Sequence, residues 1–245
     1  MPAHTSVVLV IPAWNEAKAI GAVLDEVPAN TVDQIVVVVG SALDPTAAVA
    51  ESRGARVLVQ CGPGYGAACW TGAAAALADG AQIIAFVDGD HADPPADLPR
   101  VLAPLLDGRA DLALGCRDLR RFPDALPPHA RAGNRLVLTL LRVLLGTHFT
   151  DLPSFKAIHA DALRELDMRE MRYGWTVEML VKAKRARLRV AEVGVEYRPR
   201  MGGRSKVGGS LRGSLGAAAG LLGCSVSYLT WRPAARGQWS VVRGQ

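Results

Sequence analysis

The chain has 245 residues, of which 50% are hydrophobic and 21% are charged. A chain of this length can bury a substantial core, and this apolar content excludes an intrinsically disordered protein. The formal net charge is +5, but aromatic residues make up only 5% of the chain and no nucleic-acid-binding motif accompanies the charge. We therefore expect one large α/β domain whose partners do not include nucleic acid.

The first apolar run, 7–11, has no basic region before it and is closed by Pro12, which is typical of a strand and not of a signal peptide. The closest approach to a membrane span is the apolar, small-residue segment 211–231, which Arg212 and several glycines and serines interrupt. The four cysteines lack the spacing of metal ligands, which favours free thiols in a reducing compartment. We expect a cytoplasmic protein.

Strand and helix signals alternate along the first part of the chain. The predicted strands are 7–11, 34–39, 56–60, 83–87 and 112–115, and the predicted helices are 16–27, 45–53, 67–78, 94–106 and 131–145. This order predicts a Rossmann-like α/β fold with a mostly parallel central sheet flanked by helices. No repeat or linker divides the chain, so we expect one domain over 1–210 and an apolar and basic tail over 211–245.

Two aspartates, Asp88 and Asp90, follow directly on the apolar strand 83–87. They fall at the carboxyl end of a strand, where open α/β sheets bind their ligands. Alternate residues of extended backbone share a face, so both carboxylates can converge on one cation. Hard oxygen ligands favour Mg²⁺ or Mn²⁺, which keep coordination positions open for substrate phosphates. The alternative is a turn with a helix N-cap, since Asp, Gly and Pro all favour turns.

Positive charge is concentrated in segment 182–212, which holds ten Lys or Arg residues against Glu192 and Glu196, a local excess of 10 − 2 = 8. Such a segment beside an acidic metal site is typical of an enzyme that holds several phosphates. It is also compatible with a surface that contacts anionic lipid.

Six motifs then occur in a recognisable order. They are PAWNE at 12–16, GPGYGAACWTG at 62–72, VDGDHADPPADLP at 87–99, TDLPSFKAI at 150–158, YGWTVEM at 173–179 and YRPRMGGRSKVGG at 197–209. Together they resemble the inverting family 2 glycosyltransferases of GT-A fold, and within them the polyprenyl-phosphate (dolichol-phosphate) sugar synthases and their soluble bacterial relatives. The resemblance covers roughly residues 6–210.

This resemblance implies a metal-dependent enzyme that moves a sugar from a nucleotide-diphosphate-sugar donor, and it admits a polyprenyl phosphate as the acceptor. The residues implied to bind the nucleotide sugar are Pro12, Ala13, Glu16, Gly64, Gly66, Asp88 and Arg117. Asp90 is implied to be the principal ligand of Mg²⁺ or Mn²⁺, and Asp88 to meet the donor ribose or the same ion. A helix start at Glu16 and a surface ion pair at Arg117 are the plain alternatives.

Two further carboxylates are implied to act in catalysis. Asp151 is the best candidate for contact with the reacting sugar or the acceptor, either as a base or beside an acceptor phosphate that is already anionic. Its alternative is the N-cap of a helix beginning near His159. Glu178 resembles an acid of this branch, and pairing with Lys182 at i+4 on a helix surface is its alternative.

A glycine-rich basic loop over 197–209 is expected to bind phosphate and to close over bound substrate. The residues implied to do this are Arg198, Arg204, Ser205 and Lys206, with Arg200 on the same loop. A solvated basic loop is the alternative. Because the local excess of charge precedes an apolar tail, we also expect reversible, salt-sensitive contact with the anionic inner membrane face.

One departure from the family pattern concerns the nucleobase. Family members commonly carry an acidic pair after the second strand, whereas here that strand runs into Gly40 and Ser41, with Asp44 further on. Three interpretations follow: Asp44 substitutes, the nucleotide is held differently, or the chain is a catalytically impaired nucleotide-sugar-binding protein of the same fold.

Overall fold

The computed structural model describes residues 4–202, 223 and 227–233. The strands in this part of the chain are β1 (Val7–Ala13), β2 (Gln34–Val39), β3 (Arg56–Val59), β4 (Ile83–Phe86), β5 (Leu112–Asp118), β6 (Lys156–His159) and β7 (Val190–Glu196). The helices are α1 (Ile20–Asp25), α2 (Pro45–Glu51), α3 (Tyr65–Ala78), α4 (Leu98–Leu106), α5 (Pro128–Leu145), α6 (Ala160–Leu166) and α7 (Trp175–Arg185). A 3₁₀ turn, Pro95–Asp97, precedes α4.

The seven strands form one sheet in the order β3-β2-β1-β4-β6-β5-β7. β1 pairs in parallel with β2 and β4, β2 with β3, and β5 with β7, whereas β6 runs antiparallel between β4 and β5. The predicted α/β fold with a mostly parallel sheet is therefore confirmed. The antiparallel strand lies in the TDLPSFKAI motif, to which no strand had been assigned.

The core has two layers, one on each face of the sheet. Along β1, Leu9 and Ile11 pack on one face with side chains of α1 and α4, while Val8 and Val10 pack on the other with α3. Both sets are buried. This is why the central strands read as continuous apolar runs and show no alternation with polar residues.

Most predicted elements are present, and two boundaries differ in ways that affect the site. The helix expected over 16–27 is reduced to α1, because Asn15 takes a left-handed conformation with φ 56° and the chain turns before Ile20. Strand β5 extends to Asp118 because it pairs with β7 along its whole length, from Leu112 opposite Val190 to Asp118 opposite Glu196. Arg117 is consequently held on a strand.

Helix α5 packs by one side: Val137 and Leu141 contact Val177 and Val181 of α7.

Among the described residues, no helix is both long enough and apolar enough to cross a membrane. The predicted boundary at residue 210 lies outside the described residues and stays a prediction.

Candidate active site

A cavity of about 460 Å³ opens at the carboxyl ends of β1, β2, β3 and β4, where the sequence placed the ligand site. Its lining includes Pro12, Ala13, Trp14, Glu16, Gly40, Ser41, Gln60, Gly64, Tyr65, Asp88, Asp90, Tyr173 and Arg200. Five of the predicted donor-site residues, Pro12, Ala13, Glu16, Gly64 and Asp88, therefore lie around one cavity. We call it the donor cavity.

Asp88 and Asp90 share the floor of this cavity, as predicted. The Tyr65 hydroxyl donates a hydrogen bond to Asp88 Oδ1 at 3.0 Å. Burial and the neighbouring Asp90 carboxylate raise the pKa of Asp88. Both causes disfavour the ionised form of Asp88, burial more than the like charge.

Asp90 is only 3% exposed and is held from two sides. The backbone N–H of Ala92 donates to Oδ1 at 2.9 Å, and an Arg200 guanidinium nitrogen lies 2.7 Å from Oδ2. One guanidinium thus faces two carboxylates.

No group of three or more His, Cys, Asp and Glu side chains among the described residues is placed to hold a metal ion. Two adjacent carboxylates at a cavity floor fit Mg²⁺ or Mn²⁺ bound jointly by protein and substrate phosphates, because both ions prefer oxygen ligands and Mg²⁺ binds through only one or two carboxylates.

The glycines at the start of α3 make room for another part of the protein. A Cβ on Gly64 would come 2.3 Å from the Met171 carbonyl oxygen, and one on Gly66 would come 2.2 Å from that of Glu170. The Gly66 N–H also donates to the Arg172 carbonyl at 3.0 Å. Gly64 lines the donor cavity, whereas Gly66 is not among its lining residues, so these glycines dock loop 170–172 against the cavity wall.

Asp44 is engaged in local structure. Its Oδ1 caps α2 by accepting the Thr46 N–H at 2.9 Å, and its Oδ2 accepts the Asn15 N–H at 2.8 Å. It is buried and is not among the residues that line the donor cavity. The position of Asp44 does not favour the interpretation that it replaces the missing acidic pair. The side chains that line this end of the cavity are Trp14, Ser41 and Gln60.

Arg117 and Asp151 form a partly buried ion pair outside the lining of the donor cavity. Arg117 Nε donates to Asp151 Oδ2 at 2.7 Å, its second guanidinium nitrogen reaches Oδ1, and the Arg117 and Leu152 N–H groups donate as well. Burial alone would lower the pKa of Arg117, but the hydrogen bonds and charge of Asp151 raise it. The guanidinium also lies 5.3 Å from the Tyr197 ring centre. Asp151 is thus bound to a permanent cation.

Glu178 lies on α7, and the structure does not bring it to the donor cavity. Its side chain and that of Lys182 are both 0% exposed, with Oε1 2.6 Å from Nζ. Glu178 also accepts the N–H groups of Arg169 and Glu170, and Lys182 Nζ donates to the Asp167 carbonyl at 2.6 Å. The i+4 pairing is therefore present in the core, and it holds loop 167–172 in place instead of offering a carboxylate to substrate.

Two buried polar residues near the site were not among the predicted site residues. Asp93 accepts a hydrogen bond from the Ser154 hydroxyl at 2.7 Å through Oδ2, while its Oδ1 has no partner within the described part of the chain. Burial and the Asp88 charge raise the pKa of Asp93 to about 7. Lys156 Nζ donates to Thr176 Oγ1 at 2.7 Å, and burial lowers its pKa to about 8. Both residues belong to motifs that carried the family resemblance, which was the available signal.

The predicted phosphate-binding residues are divided. Arg198 pairs with Glu196 at 2.8 Å and with Glu26 at 3.0 Å, away from the donor cavity. Arg200 of the same loop reaches Asp90. Arg204, Ser205 and Lys206 lie outside the described residues.

A second cavity of about 540 Å³ lies at the ends of β5 and β7 and includes Arg198 in its wall. The four arginines of this cavity each pair with a carboxylate of the structure; they are Arg100, Arg120, Arg121 and Arg198. The carboxylates of this cavity are each paired with one of these arginines, so we take the donor cavity as the candidate site; they are Asp97, Asp118 and Glu196.

Comparisons with known proteins give the family and the fold of the chain. Residues 8–167 match the model of the family described as Glycosyl transferase family 2. An uncharacterized glycosyltransferase of Mycobacterium tuberculosis is 38% identical over 216 residues, which cover 87% of this chain and 94% of the relative. An undecaprenyl-phosphate mannosyltransferase of Micrococcus luteus is 29% identical and covers 84% of this chain and 89% of its own.

A dolichyl-phosphate hexose transferase of Haloferax volcanii is 31% identical, covering 79% of this chain and 83% of its own. The fold is that of glucosyl-3-phosphoglycerate synthase from Mycobacterium tuberculosis, solved with Mn²⁺, uridine-diphosphate-glucose and phosphoglyceric acid: the TM-score is 0.76 at 24% identity, over 95% of this chain and 82% of that one. The matched family model and the closely covered relatives establish that the chain is a glycosyltransferase of family 2.

Proposed function

We propose that this enzyme transfers a sugar, with inversion, from a nucleotide-diphosphate-sugar donor to a polyprenyl phosphate, and that it uses Mg²⁺ or Mn²⁺. The observation that carries the proposal is the pair Asp88 and Asp90 at one end of an elongated cavity. Burial and then the Asp90 charge raise the pKa of Asp88, and a divalent cation between the two carboxylates would favour their ionised forms.

The shape of the donor cavity supports a nucleotide as its occupant. Gln60 follows β3, Ser41 follows β2, Trp14 follows β1 and Asp88 follows β4, which are consecutive strands of the sheet. Because neighbouring strands lie about 4.8 Å apart, three spacings extend the cavity over about 14 Å. That length suits a nucleoside diphosphate with its base at the β3 end and its diphosphate at the β4 end.

At the end of the cavity proposed for the base, the side chains available for recognition are uncharged. The Gln60 amide provides both a donor and an acceptor for the edge of a base, and the Trp14 indole offers a face for stacking. A Cβ on residue 40 would come 3.1 Å from Trp14 Cδ1, so Gly40 leaves room for the ring. This arrangement supports the interpretation that the nucleotide is held differently from the common family pattern.

The diphosphate end combines carboxylates and a cation. A bound Mg²⁺ or Mn²⁺ would supply Lewis-acid stabilisation of the departing nucleoside diphosphate. Asp88 and Asp90 would hold the ion. Arg200, already beside Asp90, would donate hydrogen bonds to diphosphate oxygens.

The acceptor side is assigned to Arg117 and Asp151. A phosphate monoester is already anionic near neutral pH, so its oxygen can form the new bond to the anomeric carbon, while the bond to the diphosphate breaks, with little need for a base. Asp151 would orient Arg117 toward the acceptor phosphate. The relatives named undecaprenyl-phosphate mannosyltransferase and dolichyl-phosphate hexose transferase support this class of acceptor, and reaching a lipid-linked acceptor would require peripheral contact with an anionic membrane.

The test is a binding screen followed by turnover. UDP-, GDP- and dTDP-sugars are titrated in the presence and absence of Mn²⁺, and the best donor is then incubated with a polyprenyl phosphate. We expect metal-dependent binding of at least one donor and formation of the polyprenyl-phosphate sugar. Tight binding without turnover on any acceptor would instead identify the impaired binding protein, and absence of nucleotide binding would overturn the proposal.

A further inference from the structure

Helix α5 exposes apolar side chains on the part of its surface that does not face the core. Leu136 is 53% exposed and Val143 is 76% exposed. Leu136 and Val143 are seven residues apart, so they lie on the same flank of the helix. The core side is a different one, formed by Val137 and Leu141.

The charges of α5 are of one sign. Its 18 residues include Arg131, Arg135 and Arg142 and no Asp or Glu. Arg135 and Arg142 are exposed and make no ion pair with any described residue. An exposed apolar flank beside unpaired arginines is the pattern of helices that lie in the interface of an anionic bilayer.

This helix belongs to a chain segment whose two ends lie at the acceptor side of the site. α5 lies in the chain segment between Arg117, near the end of β5, and Asp151. These two residues are joined by their ion pair. The two ends of this segment are thus held together at the proposed position of the acceptor phosphate.

We infer that α5 is the membrane-docking surface of this enzyme, with Leu136 and Val143 entering the headgroup region of an anionic bilayer and Arg135 and Arg142 contacting lipid phosphates. This inference rests on the proposed function, because docking of α5 would serve to deliver a lipid-linked acceptor to Arg117. The positive charge of α5 argues against a second copy of this chain as its binding partner. Two α5 helices placed face to face would bring four unpaired arginines together with no acidic side chain on either helix.

The experiment is flotation of the full-length protein with vesicles of phosphatidylcholine containing phosphatidylglycerol, compared with pure phosphatidylcholine. We expect the wild type to float with the anionic vesicles at low salt and to be released at high salt. The double variant Leu136→Glu and Val143→Glu should bind about tenfold more weakly or worse. Leu106→Glu is the matched control, because Leu106 is 54% exposed on α4, and it should float like the wild type.

A second variant separates charge from apolar contact. Arg135→Gln with Arg142→Gln should lower binding to anionic vesicles about tenfold and leave weak binding to pure phosphatidylcholine unchanged. Circular dichroism and thermal unfolding confirm that each variant is folded.

Several outcomes would overturn the inference: a wild type that does not float, a Leu136→Glu/Val143→Glu protein that floats like the wild type, or a concentration-dependent dimer that this variant abolishes. Mn²⁺-dependent nucleotide binding in solution is measured on the same proteins and should not depend on α5. Lost nucleotide binding in the wild type with flotation as expected would refute the proposed function alone. Intact nucleotide binding with flotation independent of α5 would refute the docking surface alone.

Discussion

Two pairs of buried charged residues in this molecule have opposite electrostatic character. Asp88 and Asp90 bring two like charges to the floor of a cavity, with Arg200 as the neighbouring cation. Glu178 and Lys182 bring opposite charges together in the core, each with further hydrogen bonds to loop backbone.

The difference supports the proposed ligand site at the first pair and a structural role for the second. A pair whose charges and hydrogen bonds are satisfied within the protein has little capacity left for a ligand. In the first pair two carboxylates face one guanidinium, and burial and then the Asp90 charge raise the pKa of Asp88; we call it the uncompensated pair. Asp88, Asp90 and Glu178 were all predicted site residues, and only their surroundings distinguish them.

The largest effect is expected at the uncompensated pair. Asp90→Asn removes a charge needed at the diphosphate, so turnover should fall about 10³-fold, which corresponds to about 4 kcal/mol in the activation barrier. Steady-state kinetics with Mn²⁺ measure this, and circular dichroism should show a retained fold. Asp107→Asn, which changes an exposed carboxylate, is the control. Turnover within a factor of a few of the wild type would remove Asp90 from the metal site.

For the Glu178–Lys182 pair, the first expected effect of substitution is a loss of stability. Glu178→Gln leaves the Lys182 ammonium buried without its counter-charge, so the free energy of unfolding should fall by roughly 3 kcal/mol. Adding Lys182→Met should recover most of that loss, because no unpaired charge is then buried. Chemical denaturation measures both variants, with Glu51→Gln as an exposed control. Unchanged stability of Glu178→Gln with turnover abolished would restore the catalytic role expected from the sequence.

Asp151 lies between these two cases, because it is paired with Arg117 yet close to the expected acceptor. Asp151→Asn leaves the Arg117 guanidinium without its bidentate partner, so turnover should fall about 10²-fold while donor affinity changes little. Single-turnover rates and calorimetric donor binding separate the two quantities. Equal losses in both would assign Asp151 to donor binding or to structure.

The last prediction concerns the effect of Asp93 on the pH dependence of stability. Its pKa is about 7 in the fold against an ordinary value of 3.8, so between these values the folded state binds more protons than the unfolded state. The free energy of unfolding should therefore decrease as pH rises from about 4 to about 7, by about 2–4 kcal/mol, and Asp93→Asn should remove that slope. Denaturation at several pH values, in chelator, measures it. Identical slopes in both proteins would contradict the raised pKa.

The sheet, and the position of two aspartates at the end of one of its strands, could be predicted from the sequence because local signals specify them. Val36 to Val39 form an uninterrupted apolar run typical of a strand buried on both faces, and Asp88 and Asp90 follow another such run. Antiparallel β6 could not be predicted, because a four-residue strand between β4 and β5 depends on tertiary pairing.

It was harder to predict which groups each charged side chain would pair with. Nothing local distinguishes an exposed i+4 pair from the buried Glu178–Lys182 pair, since burial depends on loop 167–172 packing over α7. Likewise Asp44 could have faced a nucleobase or capped α2, and the choice was decided by the position of Asn15 on another strand end.

The central claim is that Asp88 and Asp90 form a metal and nucleotide site. Anomalous diffraction from crystals of this protein grown with Mn²⁺ and UDP tests it most directly. We predict an anomalous peak beside the carboxylates of Asp88 and Asp90, with UDP bound in the same cavity and its base at the Gln60 end. Bound UDP with no anomalous peak at these carboxylates, or a peak elsewhere on the protein, would contradict the account.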